Sequence, residues 1–123
     1  MTKKAVAAIA ATLIGALGTL ALPAAVSAAD EAPSAVEQGK AIAFDRKKGN
    51  CLACHMIAGG DLPGNIGPPL VAMAIRYPDK AKLRAQIWDA SEKNPMSAMP
   101  LFGAHRILTD EEIDLVTEFI YAQ

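Results

Sequence analysis

The stretch 49–60, GNCLACHMIAGG, contains the only two cysteines of the chain, Cys51 and Cys54, with His55 directly after the second. On a helical turn, positions i, i+3 and i+4 share one face, so the three groups point at one ligand. Three chemistries use such a trio. A structural zinc site needs about four ligands at matched spacing, but no further cysteine exists and the other histidine, His105, lies fifty residues on. A dithiol redox centre also uses CxxC, yet it belongs beside a βαβ unit, and the pattern before Cys51 is helical. Covalent attachment of haem accounts for all three residues: Cys51 and Cys54 tether one porphyrin edge, and His55 lies beneath the iron.

Working outward from this stretch, helix signals dominate. Ser34 and Glu37 form a capping box that opens a helix, and its last turn is expected to carry Arg46, Lys47 and Lys48 before Gly49. Cations there complement the helix dipole, a simpler use than a docking patch for a redox partner. The run GGDLPGNIGPPL (59–70), with four glycines and three prolines, predicts a folded loop. Short helices are expected over Val71–Arg76 and Asp79–Ala90, the second with Leu83, Ile87 and Ala90 on one face and Trp88 beside it. After the turn-rich NPMSAMPLFG (94–103), Thr109 and Glu112 form a second capping box. Ile113, Val116 and Ile120 then recur at helical spacing beside Phe119. No stretch alternates as a half-buried strand does, so the fold class is all-α.

The N-terminus reads as a secretory signal: Lys3 and Lys4, an apolar run from Ala5 to Leu22, Pro23, and the small residues of AVSAAD. Cleavage is placed after Ala28, with Val26 and Ala28 at the small-residue positions; Ser27 and Ala29 serve one residue later. The apolar run approaches the roughly 20 residues of a membrane anchor, but Gly15, Gly18 and the processing site favour removal. Residues 1–28 are then a cleaved signal peptide and 29–123 one domain exported to the periplasm, with no stable membrane anchor after processing. Cleavage leaves 95 of the 123 residues and removes two of 12 basic side chains and none of 13 acidic ones, for a net charge of −3. That charge offers nothing to nucleic acid. A domain this small has a thin core, and its few aromatics (Phe44, Tyr77, Trp88, Phe102, Phe119, Tyr121) leave room for a large apolar cofactor.

A haem-binding histidine needs its second ring nitrogen fixed, commonly by a backbone carbonyl. In Gly67-Pro68-Pro69-Leu70, Pro68 can offer that carbonyl on a stiff backbone while Leu70 packs on the ring; a plain tight turn is the other use of this sequence. For the sixth iron position, Met99, before Pro100 and near Phe102, is the first candidate. Met96, His105, Met56 and Met73 compete. A thioether ligand raises haem potential. Trp88, Tyr77, Arg76 and Arg106 are candidates to meet the propionates, with ordinary packing or a solvated position the simpler role for each.

CLACH, GPPL and MPLF stand in the order and approximate spacing of class I cytochromes c, which the whole domain resembles. The resemblance implies a helical fold around one covalent haem c, with the first and last helices crossing beside it. It also implies His55 and Met99 as axial iron ligands and a bond from His55 to the Pro68 carbonyl. One departure is Ala43, four residues after Gly39, where the family often has an aromatic; Phe44 is the substitute. The longer strings RKKGNCLACHMIAGGDLPGNIGPPL, AQIWDASEKNPMSAMPLFG and ILTDEEIDLVTEFIY resemble the SoxX family. That likeness implies the electron-transfer subunit of a thiosulfate-oxidising SoxAX-type complex, an L-cysteine S-thiosulfotransferase. Its heterodimer partner is a SoxA-type catalytic cytochrome that bears the reactive cysteine, and electrons pass on to another cytochrome. The cysteine count fits, since haem would consume both thiols and leave no sulfur nucleophile. A freestanding class I electron shuttle and a dithiol or metal-binding protein are the alternatives.

Overall fold

The computed structural model describes residues 32–123; the expected signal peptide and its cleavage site lie outside them. The described chain is all-α: α1 (Ala35–Phe44), α2 (Met73–Arg76), α3 (Lys80–Trp88) and α4 (Asp110–Tyr121), with 3-10 turns at Cys51–Ala53 and Ala90–Glu92. Extended pairing among these residues is limited to one isolated parallel bridge between Ile57 and Leu70.

Both capping boxes form. Ser34 Oγ accepts from the Glu37 N–H at 3.3 Å, and the Glu37 carboxylate accepts from the Ser34 N–H at 2.8 Å. Thr109 and Glu112 repeat the arrangement at the start of α4, at 3.2 and 3.1 Å. The end of α1 differs from the expected one. The helix stops at Phe44 and its last turn carries no cation. Asp45 takes an extended conformation, and its side chain accepts from the Lys47 N–H at 2.8 Å. This local bond offers the backbone an alternative to continuing the helix, so Arg46, Lys47 and Lys48 lie in the turn beyond it.

The core is organised by the crossing of α1 and α4. A Cβ on Gly39 would stand 2.0 Å from the Leu115 carbonyl oxygen and 2.9 Å from Phe119 Cβ, so only glycine lets the two backbones approach this closely. The departure at Ala43 is thereby explained. Ala43 is fully buried at the crossing, while the Phe44 ring stands edge-on to Phe119 at 5.5 Å and 87°. Phe44 thus supplies the aromatic contact one residue later, a geometry typically contributing about 0.5–1.5 kcal/mol beyond burial. Ile113, Val116, Phe119 and Ile120 form the buried face of α4.

α3 packs Leu83 and Ile87 inward. It ends at Trp88 rather than Ala90, and Ala90 stays buried from within the following 3-10 turn. Lys80 with Glu118, and Arg84 with Asp110 and Asp114, bridge α3 to α4 at the surface. Their exposure makes them minor contributors beside the apolar face. Gly39→Ala is expected to destabilise the fold by about 1–3 kcal/mol through overpacking. Denaturant unfolding checks this, and an unchanged midpoint would contradict the close crossing.

Candidate haem site

The CLACH segment folds as a tight turn in which the Cys54 and His55 N–H groups both donate to the Cys51 carbonyl, at 3.2 and 2.9 Å. Asn50 precedes it with φ 47°, a left-handed conformation that asparagine tolerates. His55 Nδ1 lies 2.7 Å from the Pro68 carbonyl oxygen. A carbonyl can only accept, so Nδ1 carries the proton and Nε2 keeps its lone pair.

Glycine is required beside this bond. A Cβ on Gly67 would sit 2.4 Å from His55 Cε1 and 2.5 Å from Nδ1, inside the ring's own volume. The Gly67 N–H also donates to the Cys54 carbonyl at 2.8 Å, and the Leu70 N–H to the Met56 carbonyl at 2.9 Å. Arg76 holds the next carbonyl along: its Nη1 donates to Pro69 O at 2.9 Å. The Gly67–Leu70 loop is therefore fixed on both sides of the Pro68 acceptor.

Beside His55 lies a cavity of about 700 Å³. Cys51, Cys54, His55, Pro68 and Leu70 contribute to one part of its wall; Leu83, Ile87, Phe102, Val116 and Ile120 bring the helical core to it. Its size lies within the range of small-molecule and cofactor sites. An apolar wall, two thiols and one imidazole nitrogen suit a tethered porphyrin. Burial pushes the Cys51 thiol up to about 11, so it is protonated at neutral pH. Thiols of redox-active dithiols are shifted the other way, which counts against a dithiol redox centre.

The methionines separate by position. Met99 is half-buried against the core and lines the cavity; its N–H donates to Ser97 Oγ at 3.2 Å. Met96 touches the rim but is 89 % exposed. Met73 is buried in the wall, with its sulfur 3.3 Å from Arg76 Nη1. Met56 and His105 are exposed and lie outside the lining. Of the four propionate candidates, Arg76 and Tyr77 line the cavity, whereas Trp88 and Arg106 do not. Trp88 packs its ring over Gly103, where a Cβ would come within 2.1 Å, and under the Arg84 guanidinium at 5.4 Å. Asn50, Gln86 and Asn94 line the cavity without having been singled out in the sequence. Asn50, in a Gly-Asn pair, and Asn94, before Pro95, carried turn signals; Gln86 carried none.

The family model for cytochrome c matches residues 36–122. The chain belongs to the cytochrome c family. It has the class I fold and carries covalently bound haem c, for which Cys51 and Cys54 fit the attachment motif. The cytochrome is similar to a chain in the crystal structure of SoxXA from P. pantotrophus, with 28 % identity and a TM-score of 0.64 over 73 % of this chain and 82 % of that one. It is also 37 % identical over 79 residues to an uncharacterized lipoprotein of Aquifex aeolicus (strain VF5). That match covers 61 % of this chain and 37 % of the lipoprotein, so this chain spans little more than a third of that relative's length. Among the described residues, no helix is long and apolar enough to cross a membrane.

Arg46, Lys47 and Lys48 all reach the cavity mouth, and Lys48 pairs with Glu112 at the start of α4. The Lys48 side chain, and then the Thr109 N–H, hold the Glu112 carboxyl below its ordinary 4.5, while the same partner raises Lys48 above 10.5. The carboxylate's contribution is therefore present above pH 4.5 and lost as pH falls through its lowered value. The ammonium's is present below pH 10.5 and lost as pH rises through its raised value. Lys48→Met is expected to flatten the acid limb of a melting-temperature profile. A profile parallel to wild type would show that the pair contributes nothing.

Proposed function

We propose that this cytochrome is the electron-transfer subunit of a periplasmic, SoxAX-type thiosulfate-oxidising complex. It would take electrons from a SoxA-type partner and pass them to a further cytochrome. The observation that carries the reading is the likeness to the SoxXA chain, which extends over 82 % of that chain. The cysteine count supports the division of labour. With Cys51 and Cys54 committed to the cofactor, no thiol remains to take up sulfur, and the nucleophile must belong to the partner.

When bound, haem c supplies a one-electron carrier. The chain's own residues do the rest. Cys51 and Cys54 tether it, which removes the dissociation equilibrium through repeated redox cycles. His55 offers Nε2 to the iron, oriented by the Pro68 carbonyl; such outer partners fix ring orientation and raise ligand basicity. Met99 offers its thioether from a separate loop, and this ligand type places the potential on the higher side of haem proteins. Leu70, Phe102 and the apolar faces of α3 and α4 exclude water from the cavity.

Two measurements test this reading. Met99→Ala should abolish the long-wavelength absorption of methionine-ligated ferric haem while Met96→Ala retains it, and the reverse result would move the ligand to Met96. Thiosulfate should reduce the haem only when a SoxA-type subunit and its sulfur carrier are present. Absence of any complex with that subunit would leave a freestanding shuttle.

A further inference from the structure

The segment 56–75, MIAGGDLPGNIGPPLVAMAI, contains a single charged residue, Asp61, in twenty. Its outward side chains are nevertheless large and apolar: Leu62 is 92 % exposed, Ile75 80 %, Ile66 74 %, Met56 55 % and Val71 54 %. Isolated exposed leucines are ordinary, but a concentration of them along one segment marks an interaction surface.

The backbone beneath these side chains is held in place. Gly64 N–H donates to Leu52 O at 2.7 Å and Gly67 N–H to Cys54 O at 2.8 Å, which ties the loop to the CLACH turn. A Cβ on Gly64 would stand 2.0 Å from the Ala53 carbonyl oxygen, so the loop lies directly on that turn. The bridge between Ile57 and Leu70 turns those two side chains toward the core. By the alternation of extended backbone, the neighbouring Met56 and Val71 face outward together. Leu62 is held at φ 51°, a conformation leucine rarely adopts, with its side chain in solvent. A surface fixed in advance loses little conformational freedom on docking.

Charge and area identify the occupant. A face for anionic lipid headgroups would carry several lysines or arginines; the segment itself has neither, and one ammonium, that of Lys40 on α1, lies beside it at Gly59. Leu62, Ile75, Met56 and Val71, all outside the cavity lining, offer on the order of 550 Å², the larger part of the roughly 800 Å² that each partner buries in a stable protein interface. Ile66 and Leu70 also line the cofactor cavity, so a protein seated here reaches its rim. We propose that the outer surface of segment 56–75 is the docking face for the SoxA-type subunit, which meets it with an apolar, uncharged surface. This rests on the functional reading above.

The test uses the haem-loaded chain mixed with the SoxA-type subunit, with 1:1 complex measured by sedimentation. Leu62→Glu and Ile75→Glu, the two most exposed positions and both outside the cavity lining, should each weaken the complex by about tenfold or more. Both should keep wild-type haem content and melting temperature. Val36→Glu, at an exposed apolar position on α1, should bind as wild type. If wild type binds and both loop variants bind equally well, the face is wrong and the functional reading stands. If wild type does not bind the subunit at all, the functional reading fails and this proposal with it. Self-association of wild type, or its co-sedimentation with phosphatidylglycerol vesicles, overturns the assigned occupant if either is abolished by the loop variants.

Discussion

The hydrogen bond between His55 Nδ1 and the Pro68 carbonyl joins two segments thirteen residues apart and sets which nitrogen of the histidine faces the cavity. Much of the surrounding structure serves that contact. Gly67 allows the loop to lie against the imidazole, and Gly64 rests the same loop on the backbone of the attachment turn. Arg76 holds the carbonyl next to the acceptor. A proline is well suited to this place: with φ fixed and no N–H of its own to satisfy, it presents a carbonyl on a backbone that has little freedom to turn away.

The second constraint is the crossing of α1 and α4, where Gly39 removes the side chain that would separate the backbones. Close approach there lets Phe44 meet Phe119 and brings Val116 and Ile120 to the cavity wall. The helices and the loops between them enclose a cavity of about 700 Å³. In a chain this small, the tethered porphyrin is therefore a part of the core as well as the redox centre. Attachment and folding reinforce one another because the same apolar faces serve both.

The features legible in the sequence were those that act locally or through a short spacing. Cys51, Cys54 and His55 are set by one turn, both capping boxes by residues three apart, and the buried face of α4 by helical period. For the pairing of His55 with Pro68 the residues offered a candidate acceptor beside a plain tight turn, and the family resemblance implied the bond that the structure contains. The end of α1 was not legible, because a single bond from the Lys47 N–H to the Asp45 side chain competes with helix propagation in a way that composition does not reveal. Nor was the placement of Trp88. An indole can pack against any close backbone, and only the fold brings Gly103 under it. Which methionine faces the cavity likewise depends on how the 94–103 loop folds back, which puts Met99 against the core and leaves Met96 in solvent.

The central claim is that the CLACH turn is a covalent haem site. Intact-mass analysis of the purified chain after acid denaturation tests it most directly, combined with a thiol count on the same sample. The account predicts one haem retained per chain and no titratable thiol at Cys51 or Cys54. A chain that loses all pigment on denaturation and shows two free thiols would contradict it.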